Sequence, residues 1–181
     1  MREKDGLQCK QAGWLWVTHE EIAEVNPRKP ELDDSTHVSF VPMSAVTAET
    51  GEASLSEERQ FVQVKKGYTS FQDGDILFAK ITPCMENGKV ALVDKLKNGV
   101  GFGSSEFHVS RFHSDLCARF YLYYFLSHPF RKEAQGNMTG SAGQLRVPTS
   151  YFREVEVPLP PVNEQRRIVA KIEELFSELD N

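Results

Sequence analysis

The chain has 181 residues, 40% of them hydrophobic and 26% charged, with a formal net charge of −5 at pH 7. That length suits one domain with its own core and excludes two full-sized ones, and the composition is globular rather than disordered or fibrous. No apolar run approaches the roughly 18–20 residues that span a bilayer, and MREKDGLQCKQ lacks the apolar stretch of a signal peptide, so no membrane association and a cytoplasmic location are expected.

Taken along the chain, GWLWVTHEEIAEV runs into Asn26-Pro27, which stops regular structure and opens a polar connection. VSFVPM (38–43) and FVQVK (61–65) read as short strands separated by a Glu-rich loop. GDILFAKI (74–81) and VALVD (90–94) are continuous apolar runs, the pattern of strands covered on both faces. Between them, ITPCMENGKV contains Asn87-Gly88, a pair that tolerates positive φ, and so predicts a hairpin turn. Gly99, Gly101 and Gly103 fit neither GxGxxG nor a phosphate loop and are expected to form a bend between strands. EFHVSRF (106–112) alternates, with Phe107 and Val109 on one side and Glu106, His108 and Ser110 on the other.

SDLCARFYLYYFLSHPF predicts a helix capped by Ser114 or Asp115, with Leu116, Phe120, Tyr123 and Tyr124 on one face and Pro129 as its limit. GNMTGSAGQLRVP (136–148) reads as a Gly-rich loop whose backbone can be closely approached. VEVPLPPV is extended and proline-stiffened, a boundary signal. Beyond it Asn163 can cap a helix of about 17 residues, with Ile168, Ile172, Leu175 and Leu179 stepping by 4, 3 and 4 beside Val169 and Phe176, a coiled-coil-like seam. The expected fold class is mixed α/β, a twisted mixed sheet with flanking helices and a C-terminal coiled-coil-like helix.

No catalytic set is complete. Cys9, Cys84 and Cys117 are widely spaced without a CxxC pair, which argues against a disulfide framework or zinc site. His19, His37, His108, His113 and His128 show no HxxxH or HExxH spacing, so no metal site is expected. Cys84 as a nucleophile would need His108 as its base, and Glu86 and Lys89 pair with each other or face water. What remains is a binding surface. Residues 59–150 carry 12 basic and 7 acidic side chains (+5), whereas residues 1–58 carry 5 and 12 (−7) and residues 151–181 carry 4 and 7 (−3). A basic middle between acidic ends suits a local phosphate-facing surface. Its candidates are Lys80, Lys89, Arg111, Ser141, Gln144 and Arg146: Arg and Gln match guanine and adenine edges, and Lys suits phosphates.

Three stretches together, GDILFAKITPCMENGKVALV with GFGSSEFHV, MTGSAGQLRVP, and VPLPPVNEQRRIVAKIEELFSELD, resemble the specificity (S) subunit of type I restriction–modification systems. The last is the most specific, because Pro-Leu-Pro-Pro followed by Glu-Gln-Arg-Arg-Ile marks the junction between that family's target recognition domain and its spacer helix. GWLWVTHEEIAEVNPRKP extends the likeness over nearly the whole chain. The resemblance implies a target recognition domain over residues 1–158 and a shortened spacer or dimerisation helix over 159–181, packing through Ile168, Ile172, Leu175 and Leu179. It implies a non-catalytic subunit that reads bipartite double-stranded DNA and carries methyltransferase and restriction subunits. S-adenosylmethionine, ATP and Mg then belong to those partners, and this chain needs no cofactor. One domain and a short helix, where the family has two of each, imply a half subunit that forms a homodimer, or a truncated form or fragment. Two rival classes remain: a small hydrolase using Cys84 or a His/Glu pair, and an interaction module that binds methyltransferase subunits without reading DNA.

Overall fold

A computed structural model describes residues 13–141 and 143–179; the polar N-terminal stretch with Cys9, Ala142 of the Gly-rich segment and the last two residues of the expected spacer helix lie outside the described residues. Strand β1 (Leu15–Thr18), the single turn α1 (His19–Ile22) and β2 (Ala23–Val25) open the chain. Glu21 secures this turn by accepting from the Thr18 N–H at 2.7 Å and from its hydroxyl at 2.8 Å. The expected strand at 38–43 is β3 (His37–Val41). The one expected at 61–65 is instead a helical turn, α2 (Phe61–Val64), preceded by the strand β4 (Glu58–Gln60). Phe61 and Val64 are both buried, and a spacing of three brings them to one face only in a helical turn.

The chain continues through β5 (Thr69–Gln72), β6 (Ile76–Ala79), β7 (Val90–Leu92), β8 (Val100–Gly103) and β9 (Phe107–Phe112). These form two four-stranded sheets rather than one: β2-β9-β6-β7, wholly antiparallel, and β4-β3-β8-β5, in which β3 and β8 run parallel. Gly101 and Gly103 are not a bend. They sit inside β8, where a Cβ at Gly101 would fall within the Phe71 ring and one at Gly103 would fall on the Val41 carbonyl.

Helix α3 (Ala118–Leu126) begins at Cys117, later than Ser114 or Asp115, and buries Phe120, Tyr121, Leu122 and Phe125. Tyr123 is half-buried at the edge of the helix-side layer and meets the C-terminal helix, its hydroxyl donating to Glu173 at 3.5 Å. Pro129 does not simply end this helix. It lies in the first turn of a second helix, α4 (His128–Gly136), whose cap is the Ser127 hydroxyl. The Gly-rich segment is a hairpin, β10 (Thr139–Ser141) and β11 (Gln144–Arg146). Helix α5 (Thr149–Glu154) follows, then β12 (Glu156–Leu159), which pairs antiparallel with β1. The expected boundary at 158/159 falls one residue before this strand ends. The last element, α6 (Val162–Leu179), starts one residue before Asn163.

Three apolar clusters hold these layers together. An aromatic-rich one, with Ile76, Phe78, Tyr121, Phe125, Phe130 and Phe152, lies between the first sheet and helices α3–α5. A second, with Val41, Phe71, Leu77, Ala79, Phe107 and Val109, joins the two sheets. A third, with Val38, Phe40, Phe61, Val64 and Phe102, lies on the outer face of the second sheet.

Two histidines are buried in the helix-side layer. His19 Nδ1 lies 2.7 Å from the Phe152 carbonyl oxygen, and His108 Nε2 lies 2.8 Å from that of Val147 while its ring stacks on Phe152. Burial pushes the pKa of each down to about 4, against 6.5 in the unfolded chain. Between those values the unfolded chain binds protons that the folded one refuses, so stability is complete above about pH 6.5 and falls as pH drops towards 4. Denaturant unfolding at pH 7.5 and pH 5 should differ by about 2 kcal/mol per histidine. An unchanged midpoint would mean that the two rings are not held neutral.

Candidate nucleic-acid interface

Strand β6 does not end in free loop. Its continuation, Lys80–Thr82, takes up β11 along one edge: the Val147 N–H donates to the Lys80 carbonyl at 2.8 Å, the Thr82 N–H donates to that of Leu145 at 3.0 Å, and Ile81 bridges Arg146. The Thr82 hydroxyl holds the turn and the start of β11, accepting from the Leu145 N–H at 3.2 Å and donating to the Gly143 carbonyl at 3.4 Å. Two glycines make the hairpin possible. Gly143 has φ +83° at its turn, and a Cβ on Gly140 would lie 2.7 Å from the Gln144 carbonyl oxygen.

The register pairs Thr139 with Arg146, Gly140 with Leu145 and Ser141 with Gln144. Paired residues and those two apart share a face, so Thr139, Ser141, Gln144 and Arg146 form one polar face, and Gly140 and Leu145 form the other. Thr139, Ser141 and Gln144 are exposed. At the base, the Arg146 guanidinium donates from Nε and Nη2 to the two Glu106 carboxylate oxygens at 2.9 and 2.8 Å, and from Nη1 to the Gln144 carbonyl at 3.2 Å. Those hydrogen bonds hold the Glu106 carboxyl below its ordinary range. Lys80 lies beside this pair, and burial lowers its pKa.

Four of the six expected contacts, Lys80, Ser141, Gln144 and Arg146, are therefore brought together. Lys89 turns away and donates to the Met43 carbonyl at 2.9 Å. Arg111 lies near the opposite end of β6, donating bidentately at 2.9 and 2.8 Å to Asp75, whose side chain is 0% exposed. The ITPCMENGKV loop is a turn, as expected, but Glu86 and Lys89 do not pair. Glu86 accepts from Gln135 at 2.8 Å, and Arg131 clamps the loop by donating to the carbonyls of Leu126 and Glu86 and to the Glu49 carboxylate at 3.0, 2.8 and 2.9 Å. Cys84 packs on the inter-sheet cluster, whereas His108 faces the helix-side layer with its nitrogens near Val147 and Asn26, so the two do not meet. No group of three His, Cys, Asp or Glu suited to a metal occurs among the described residues, and no described helix is long and apolar enough to cross a membrane.

The C-terminal seam divides. Val169 is buried and Ile168 and Ile172 are half-buried, whereas Leu175, Phe176 and Leu179 are 47%, 53% and 81% exposed. Near its start Gln165 is fully buried, its Oε1 accepting from the Cys117 N–H at 3.0 Å and its Nε2 donating to the Pro160 carbonyl at 2.9 Å. Sequence reading missed Thr82, Glu106, Thr139, Arg131 and Gln165. Only Thr139 left a usable signal, the alternation Thr139, Ser141 and Gln144, Arg146, which the surrounding glycines obscured.

Arg111→Ala strands a buried carboxylate and is expected to cost about 3 kcal/mol or more, read as a large fall in the unfolding midpoint. Gln144→Ala, at an exposed tip, should stay within about 0.5 kcal/mol of wild type. Equal stabilities for the two variants would contradict these placements.

The family model described as Type I restriction modification DNA specificity domain matches residues 12–181. The chain is similar to the specificity subunit of the type I restriction enzyme EcoAI from Escherichia coli, with 45% identity over 169 residues that cover 93% of this chain and 29% of that subunit. It is also similar to the EcoEI specificity subunit from Escherichia coli, with 44% identity over 165 residues, 91% of this chain and 28% of the other. Among solved structures it is similar to the HsdS subunit from Thermoanaerobacter tengcongensis, with a TM-score of 0.76 and 25% identity over 93% of this chain and 43% of that one. The chain thus spans under a third of each of these two curated relatives and under half of the solved subunit. A family match along almost every residue, with close relatives all named as specificity subunits, establishes that this chain belongs to the type I restriction modification DNA specificity domain family.

Proposed function

We propose that this chain is a sequence-reading module of a type I restriction–modification complex, directing methyltransferase and restriction subunits to a bipartite DNA target. The observation that carries the reading is the β10–β11 ribbon, whose polar face offers Thr139, Ser141 and Gln144 beside Lys80, with Arg146 paired to Glu106 at its base. A two-stranded ribbon fits the B-DNA major groove, where Gln pairs bidentately with adenine and hydroxyls accept or donate to several bases. Lys80 and backbone N–H groups would set register on phosphates. In this reading residues 1–158 form the recognition domain, and 159–181 form a spacer helix that meets a methyltransferase subunit, a second recognition half or a second copy of the chain. The exposed Leu175, Phe176 and Leu179 support such a contact. The chain itself performs no chemistry and works in the cytoplasm, with S-adenosylmethionine, ATP and Mg held by its partners.

The test combines light scattering, alone and with the cognate methyltransferase subunit, with titration of duplex DNA at two salt concentrations. The reading expects an assembly whose DNA affinity falls steeply with salt. In a duplex selected from a random pool, Gln144→Ala should weaken preference at one base position by about 1–3 kcal/mol without changing the unfolding midpoint. A chain that joins the methyltransferase but shows no salt-dependent DNA affinity would instead be an interaction module.

A further inference from the structure

The polar side chains of the ribbon are not equally available. None of the Thr139, Ser141 and Gln144 side chains is engaged in a protein hydrogen bond recorded for the described residues, whereas Arg146 makes three, two of them to one carboxylate. The Nε–Nη2 edge of its guanidinium, one of the forks that could embrace a guanine or a phosphate, is filled by Glu106 in that same bidentate geometry. Glu106 is itself held in place. It lies just before β9, its N–H donates to the Ser104 hydroxyl at 3.2 Å, and its carbonyl accepts from the Lys80 N–H at 2.9 Å. Its side chain is 26% exposed, against 41% for Arg146, so the pair faces whatever the ribbon meets.

We propose that Glu106 is a positioning residue that withholds Arg146 from DNA, so that the ribbon presents Ser141 and Gln144 to base edges instead of a free guanidinium. The proposal rests on the DNA-reading function above and assigns roles within that surface. Its physical logic is discrimination. A free arginine beside a duplex binds any phosphate, and each such contact adds affinity irrespective of sequence. Pairing it with a fixed carboxylate removes that contribution and leaves the pair to brace the hairpin base, while the uncommitted amide and hydroxyl at the tip read bases. Specificity is a difference of affinities, and lowering the sequence-independent part widens it.

Three variants of the full chain test this: Glu106→Gln, which keeps shape and removes charge, Arg146→Ala, and the double variant. Each would be titrated with a labelled random-sequence duplex between about 50 and 200 mM salt, with the unfolding midpoint measured alongside. Glu106→Gln should tighten random-duplex binding several-fold at low salt and steepen the slope of log K against log salt by about 0.9, one extra phosphate contact. Arg146→Ala alone should leave the wild-type slope unchanged and, in the double variant, abolish the gain. A wild-type slope that flattens by about 0.9 on Arg146→Ala would overturn the proposal, because Arg146 would already be on a phosphate. That outcome decides the matter even if Glu106→Gln proves poorly folded. A folded Glu106→Gln with wild-type affinity and slope would also overturn it. Absence of salt-dependent duplex binding by the wild type would remove the DNA reading itself, a distinct result.

Discussion

Strand β6 is the constraint on which the remaining structure depends. Ile76, Leu77, Phe78 and Ala79 are each fully buried, and successive residues enter different cores: Ile76 and Phe78 the helix-side layer, Leu77 and Ala79 the layer between the sheets. With a side-chain period of two, a slip of one residue would send every one of them to the wrong layer. Asp75, just before the strand, adds a polar register mark. It is fully buried, accepts from the Gln72 N–H at 2.7 Å and receives the Arg111 fork. At its other end the same strand continues into Lys80–Thr82, the edge that the polar ribbon joins. The ribbon's place is therefore inherited from the core.

This division separates side chains that build from side chains that are displayed. Arg111, Arg131 and Lys89 look available in sequence, but their nitrogens are spent on a buried carboxylate and on backbone carbonyls. Burial without such partners would be costly, so these contacts are set by the fold. Ser141 and Gln144 carry no such obligation. Exchanging them alters the displayed hydrogen-bonding pattern while disturbing little of the packing. A scaffold with a rigid base and an energetically uncommitted tip suits a module whose display can change while its fold persists.

The fold was legible where one periodicity dominated. The doubly buried strands at 76–79 and 90–92 and the long C-terminal helix stood out as an apolar run and a heptad seam. Phe61–Val64 was ambiguous, because FVQVK satisfies both a strand alternation and a spacing of three, and only the partner residues decide. The glycines misled twice. Those at 101 and 103 mark close approach by Phe71 and the Val41 carbonyl, and Gly140 and Gly143 shape a hairpin that composition alone reads as a loop. Residue type pointed to Gln144 and Arg146, but which cation is free depends on carboxylates distant in sequence: Glu106 is 40 residues from Arg146, and Asp75 is 36 from Arg111. No local pattern carries that information.

Helix α6 shows how a polar residue can set direction in an otherwise apolar contact. Gln165 is buried with both ends of its amide satisfied, accepting from the N-terminal N–H of α3 and donating to Pro160, and Val169 packs one turn further on. An apolar contact alone tolerates sliding, whereas an amide that must meet one N–H and one carbonyl at once does not. Further along, Arg119 and Glu173 meet at 3.4 Å, and the Tyr123 and Phe176 rings lie 6.1 Å apart. The grip then weakens: Leu175, Phe176 and Leu179 stay largely open to solvent. At 1.5 Å per residue the helix is about 27 Å long. Its first half is fixed to the domain by a two-ended hydrogen bond, and its second half projects an apolar stripe along the axis that the first half defines. The angle between that stripe and the polar ribbon is consequently a property of the domain's own core, set before any partner is met.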